Sequence, residues 1–140
     1  MASLFTKIIN HELPGRFVWA DAKCVAFLTI NPLNPGHTLV VPREEVDHWL
    51  DLSPELAAHL NEVARLVGRG IQAAFSPTKV GLIIAGLEVN HVHLHLVPIN
   101  SLGDLNFANA DSAPNDSDMD KAAESLRATL RAQGHSDVCD

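Results

Sequence analysis

The chain has 140 residues, 46% of them hydrophobic, with a formal net charge of −7. This is one domain with enough apolar content for a core. The negative balance argues against a nucleic-acid polymer as partner, because neutralising phosphates needs a basic face, but not against a small nucleotide in a local pocket.

No run approaches the roughly 20 apolar residues of a membrane span, and Met1–Asn10 lacks a secretory-signal pattern, so no membrane association is expected. The two cysteines, Cys24 and Cys139, make no disulfide framework and fit a cytoplasmic location. Arg16–Ala20 and Cys24–Ile30, separated by Asp21-Ala22-Lys23, read as a β-hairpin. A loop, "NPLNPG" (Asn31–Gly36), leads to a third strand, His37–Val41, stopped by Pro42. Ser53-Pro54-Glu55 starts a helix: a capping serine, a proline in the first turn and an acid near the positive dipole end. Leu56, Leu60, Val63, Val67 and Ile71 recur at steps of three and four, carrying the helix to about Phe75 before Pro77. Lys79–Ala85 is an apolar strand, Gly86 turns it, and Asn90–Val97 returns beside it. Asp111–Asp118 ("DSAPNDSD") reads as an acidic, mobile loop. Ser117 and Asp120 then make a capping-box-like start to a helix ending at Gly134. The order β-β-β-α-β-β-α predicts an α+β domain, an antiparallel sheet with helices packed on one face.

Within Asn90–Ile99, "NHVHLHLVPI", three of the chain's eight histidines alternate with Val92, Leu94 and Leu96. Strict alternation is the period of a strand, so the apolar residues face a core and His91, His93 and His95 line the other face, with Pro98 marking the strand's end. Three readings of this row are open. As solvent-facing histidines, they would set partly protonated rings side by side. As metal ligands, the outer pair would be about 13 Å apart along the strand and could barely converge on Zn–N bonds near 2 Å, so an ion would take two of the three plus ligands from elsewhere. As catalytic groups, a neutral imidazole attacks phosphorus while its neighbours orient it or donate protons. The remaining His11, His48, His59 and His135 are expected at the surface.

"HVHLHLV" (His91–Val97) resembles the signature of the histidine triad (HIT) family, in which three histidines alternate with apolar residues. "AFLTINPLNPGHTLVVP" (Ala26–Pro42) and "LFTKIIN" (Leu4–Asn10) resemble two further blocks of its Hint-like bacterial branch, in the same order. The resemblance implies a five-stranded HIT-fold sheet joined to a second across a homodimer, with no cofactor or metal needed. The resemblance covers roughly Ser3 to Ile99; with the composition shift beyond Asn100, the chain is expected to divide into a HIT domain over 1–105, an acidic loop over 106–118, and a C-terminal helix and tail over 119–140. It implies hydrolysis or transfer of a nucleotidyl group from a nucleoside phosphoramidate or dinucleotide. His93 would be the nucleophile, His91 and His95 its flanking members, and His37 the fourth imidazole. Leu4, Phe5, Phe27 and Ile30 would surround a purine, with Thr29 at the ribose and Asn90 in the turn before the triad. Thr29 stands where the family has a ribose-binding aspartate, and "AGLEVN" (Ala85–Asn90) replaces a longer Gly-Gln-Ser/Thr turn, placing Glu88 near phosphate unless it points to solvent. Ser3, Thr6 and Glu45 stand where some bacterial members carry zinc ligands, so a structural zinc site is expected to be lost. A nucleotide-binding regulatory module with little turnover is the alternative.

Overall fold

A computed structural model describes residues 2–140. Strands β1 (Phe17–Ala20), β2 (Cys24–Leu28), β3 (Thr38–Pro42), β4 (Lys79–Ile83) and β5 (Leu94–Ile99) form one antiparallel sheet in the order β1-β2-β3-β5-β4. Helices α2 (Pro54–Phe75) and α3 (Asp116–Ala132) cover one face. The other face carries a short helix, α1 (Leu4–Ile9), which the sequence pattern did not single out.

The α2 helix starts as its residues dictate: the Ser53 hydroxyl accepts from the Leu56 N–H at 3.1 Å, with Pro54 first and Glu55 in the opening turn. Its stripe Leu56, Leu60, Val63, Val67 and Ile71 is buried in one core with Val40, Leu94 and Leu96. Each such side chain contributes roughly 1.5–3 kcal/mol through burial. Gly70 lets α3 approach, since a Cβ there would lie 2.5 Å from Leu130.

Register places the site. Phe17 pairs with Phe27, Phe27 with Leu39, Leu39 with His95, and His95 with Ile83, one row crossing all five strands. Partnered residues share a face, so His95 emerges on the α1 side beside the aromatic cluster of Phe5, Phe17 and Phe27. Val92, Leu94 and Leu96 enter the α2 core, as alternation predicts.

Several boundaries differ from expectation. The strand expected at Asn90–Val97 runs from Leu94 to Ile99, so His91 and His93 lie in the segment leading into it. Pro98 does not end the strand; it pairs with Val80. Its carbonyl accepts from the Asn34 amide at 2.9 Å, on the side where β3 pairs with β5 only as far as Leu96. A missing donor disrupts no ladder there. The α3 helix begins at Asp116, capped by Asn115 rather than Ser117, so the acidic segment 106–118 is not all loop and includes a 3₁₀ turn at Phe107–Asn109. The C-terminal tail folds back on β1: Ala20 N–H donates to the Asp137 carbonyl (2.9 Å) and Cys139 N–H to that of Val18 (3.4 Å).

One polar cluster ties the β1–β2 turn to α2. The Asp21 carboxylate accepts from the Trp19 indole (2.9 Å), the Lys23 and Cys24 amides (2.8 and 2.9 Å) and the His59 ring (2.9 Å). His59, expected at the surface, is therefore half-buried, and His135 packs on Trp19. Burial raises the Asp21 pKa, but these hydrogen bonds outweigh it and hold the carboxyl at about 2, against 3.8 unfolded. Because the folded value is the lower, the ionised carboxylate stabilises fully above pH 4 and loses its effect as pH falls toward 2. Asp21→Asn should cost about 2 kcal/mol at neutral pH. Urea unfolding of both proteins across pH 2–7 checks this: the gap should close toward pH 2.

Candidate active site

Four imidazoles meet at the head of β5: His37 and His91 are fully buried, and His93 and His95 reach the surface of a cleft. Their hydrogen bonds fix which nitrogen carries each proton. His93 Nδ1 lies 2.8 Å from the His91 carbonyl oxygen, which only accepts, so Nδ1 donates and Nε2 keeps its lone pair. Leu33 N–H donates to His37 Nδ1 at 3.0 Å, so His37 Nε2 carries the proton and donates to His95 Nδ1 at 2.9 Å. His95 therefore carries its own proton on Nε2. His91 donates from Nε2 to the Pro42 carbonyl (2.7 Å) and accepts the Ser3 hydroxyl at Nδ1 (2.6 Å).

Position follows from backbone geometry. Gly36, at φ +97°, turns the chain into β3 just before His37, and a Cβ there would lie 2.7 Å from the Phe75 ring. His93 packs edge-on against Phe5 (4.8 Å between centroids) and His95 (4.8 Å), and His95 against Phe107 (5.0 Å).

Burial disfavours the charged form of all four rings. It pushes His37 to about 4 and His95 to about 3, reinforced in both by proximity to His93, and in His95 also by His37. It also lowers His91 and His93, opposed at His91 by the bond to Pro42 and the charge of Glu45, and at His93 by the bond to His91 and the charge of Glu88.

The cleft holds about 680 Å³. Of the residues anticipated for binding, Leu4, Phe5, Phe27, Thr29 and Ile30 line it together with His93 and His95. Phe5 and Phe27 are buried, whereas Leu4 and Ile30 are exposed at the wall, 45% and 68%. Asn90 is exposed and outside the lining; His37 and His91 stand behind it. Sequence reasoning missed Arg16, Asp116 and Asp120, which also line the cleft. About a hundred positions separate Arg16 from the aspartates it pairs with, so no local pattern could have linked them.

Ser3, Thr6 and Glu45, the positions compared above with zinc ligands, converge with His91. The Ser3 amide donates to Glu45 (2.5 Å), and the Ser3 hydroxyl lies 3.3 Å from that of Thr6. Two hydroxyls, a carboxylate and one imidazole, already bonded to one another, do not fit the nitrogen and thiolate preference of structural zinc. A separate set of metal-type donors, Asp21, Cys24 and His59, lies within 4.8 Å of one another in the polar cluster on the opposite side of the sheet.

The HIT domain family model matches residues 10–102. The chain belongs to the histidine triad family. An uncharacterized HIT-like protein of Methanocaldococcus jannaschii is 38% identical over 99 residues, covering 68% of this chain and 77% of that one. A zinc-bound histidine triad family protein of Mycobacterium smegmatis superposes with a TM-score of 0.82 at 25% identity, covering 95% of this chain and 96% of that one. A hypothetical histidine triad nucleotide-binding protein of Sulfolobus tokodaii gives 0.81 at 27% identity, covering 91% of each.

The proton assignment is measurable. At pH 7, ¹⁵N-detected imidazole spectra should show His93 protonated on Nδ1 and His37, His91 and His95 on Nε2. His37 and His95 should stay neutral at pH 5, while an unfolded reference, with a pKa near 6.5, becomes charged. Because the folded state refuses protons that the unfolded state accepts, stability should fall as pH drops below 6.5.

Proposed function

We propose that the protein is a nucleotide hydrolase or transferase acting on a nucleoside 5′-phosphoramidate or related phosphate ester through a nucleotidyl intermediate on His93. One observation carries this reading: His93 Nδ1–H is committed to a main-chain carbonyl, leaving Nε2 unprotonated at the cleft. A neutral nucleophile with its tautomer fixed needs no activation before attack. The HIT fold and the nucleotide-binding description of the Sulfolobus tokodaii protein agree with it.

In the first step Nε2 bonds to the α-phosphorus as the bond to the leaving nitrogen or oxygen breaks. Bound anionic phosphate raises the proton affinity of the His37–His95 pair, which takes up one proton from solvent as substrate binds; His95 Nε2–H then protonates the leaving group and the pair returns to its neutral form. In the second step water attacks phosphorus, its proton returns to His95, and the Nε2–P bond breaks to release the nucleoside monophosphate. His37 fixes the His95 tautomer, and His91 supplies the carbonyl that fixes His93. Phe5, Phe27, Leu4 and Ile30 form an apolar slot that fits a purine. A homodimer belongs to the same reading: β4 is an open edge with Leu82 half exposed, beside a groove lined by Ala64, Arg65, Gly68 and Val80. Two free thiols suit the cytoplasm.

The regulatory-module reading draws on Thr29, whose hydroxyl already lies 3.4 Å from the Asn31 amide and offers the ribose less than a carboxylate would. Tight nucleotide binding with no turnover would favour it.

Assays over a panel of nucleoside phosphoramidates and dinucleotides test the proposal. His93→Asn should abolish turnover while preserving the fold, and replacing His95 should slow the reaction by about 10²–10⁴-fold. Intact-mass analysis after a quench in mild base should find an acid-labile nucleotide adduct on His93; normal turnover in His93→Asn would sink the mechanism. Thr29→Asp should tighten nucleoside monophosphate binding and sharpen ribose over deoxyribose discrimination, read by calorimetry with both sugars.

A further inference from the structure

We infer that the cleft selects its substrates by charge, favouring a leaving group that carries a cation over an anionic or polyphosphate one, and that Glu88 sets this preference. The inference rests on the nucleotidyl-transfer reading of the same site and adds the chemical class of the leaving group.

The formally charged residues lining the cleft are Arg16, Glu88, Asp116 and Asp120. Arg16 is already engaged: its Nε lies 2.8 Å from Asp120 and its guanidinium 3.3 Å from Asp116. The lining imidazoles, His93 and His95, are held toward the neutral form by burial. One positive and three negative groups therefore leave the wall with a balance of −2 and no free cation among the described lining residues. A polyphosphate brings several negative charges, and proteins bind such chains with Arg, Lys or a metal ion. This wall would repel one.

Glu88 differs from the two aspartates. It has no basic partner among the described residues, and it belongs to the short turn that leads into His91. It lines the cleft with Val89 and His93, and its charge reaches the His93 ring. The turn carries this carboxylate beside Leu87, which is 91% exposed. A carboxylate near the reacting phosphorus hinders an anionic leaving group and helps one whose far end is an ammonium. The covalent chemistry is unchanged: the P–N bond breaks as Nε2–P forms, the departing nitrogen takes its proton from His95, and the distant ammonium stays charged throughout.

The test uses nucleoside 5′-phosphoramidates of three amines of similar length, ethylenediamine (cationic far end), propylamine (neutral) and β-alanine (anionic), with a dinucleoside tetraphosphate alongside. Wild-type kcat/KM should fall in the order cationic, neutral, anionic, by about 3- to 10-fold per unit charge at about 20 mM salt, with the tetraphosphate lowest. The spread should shrink at about 0.5 M salt, narrow in Glu88→Gln and invert between the cationic and anionic amines in Glu88→Lys. Calorimetric Kd values of the same compounds for His93→Asn read the charge order without turnover. Equal values across the three amines in wild type, or a spread unchanged in Glu88→Gln, would overturn the inference. If His93→Asn is inactive and no charge order exists, the nucleotidyl mechanism stands and this inference fails. A charge order in binding combined with full turnover in His93→Asn would reject the mechanism instead.

Discussion

The 2.8 Å hydrogen bond from His93 Nδ1–H to the carbonyl of His91 is the contact on which the rest of the site depends. A side-chain acceptor could rotate or change protonation; a peptide carbonyl two residues away does neither. The bond exists because the chain enters β5 from a short non-strand segment, where that carbonyl can turn toward the ring instead of a neighbouring strand. The His91 side chain is in turn held at both nitrogens, by Pro42 on β3 and by Ser3 at the start of α1. The His93 ring is thus oriented by a carbonyl whose own residue is anchored to two regions of the fold.

Burying four imidazoles carries a large desolvation term if any is charged, which disfavours their charged forms. Every buried side-chain nitrogen and oxygen among the described residues has a partner. The relay from Leu33 N–H through His37 to His95 satisfies one amide and three ring nitrogens in sequence and ends in a donor facing the cleft. The aromatic row on the same face of the sheet then supplies the apolar wall, with Phe5 bridging to His93.

Sequence periodicity made the sheet and the long helix legible because both obey local rules. The β1–β2 hairpin, the Ser53 cap and the stripe from Leu56 to Ile71 each need only neighbours in the chain to be recognised. The pattern also placed Val92, Leu94 and Leu96 in the core. It extended the strand too far toward His91, because alternation continues there while the ladder with β3 starts only at Leu94. It took Pro98 for a terminator because the side on which its missing donor falls depends on where another strand stops. Helix α1 is only six residues and lacks a full amphipathic repeat; its place is set by Phe5, Ile8 and Ile9 packing on the sheet. The triad and His37 were legible from the motif, whereas the Arg16–Asp116–Asp120 rim was not, since it exists only through tertiary packing of α3.

The tail from Asp137 to Cys139 has a consequence for assembly. By bonding to Val18 and Ala20 it occupies the outer side of β1, leaving β4 as the sheet's open margin among the described residues. A sheet with two free margins is a template for indefinite lateral growth. With β1 covered by residues 137–139, β4 is the one margin of this sheet where an added strand could pair, so any lateral growth would be confined to a single side.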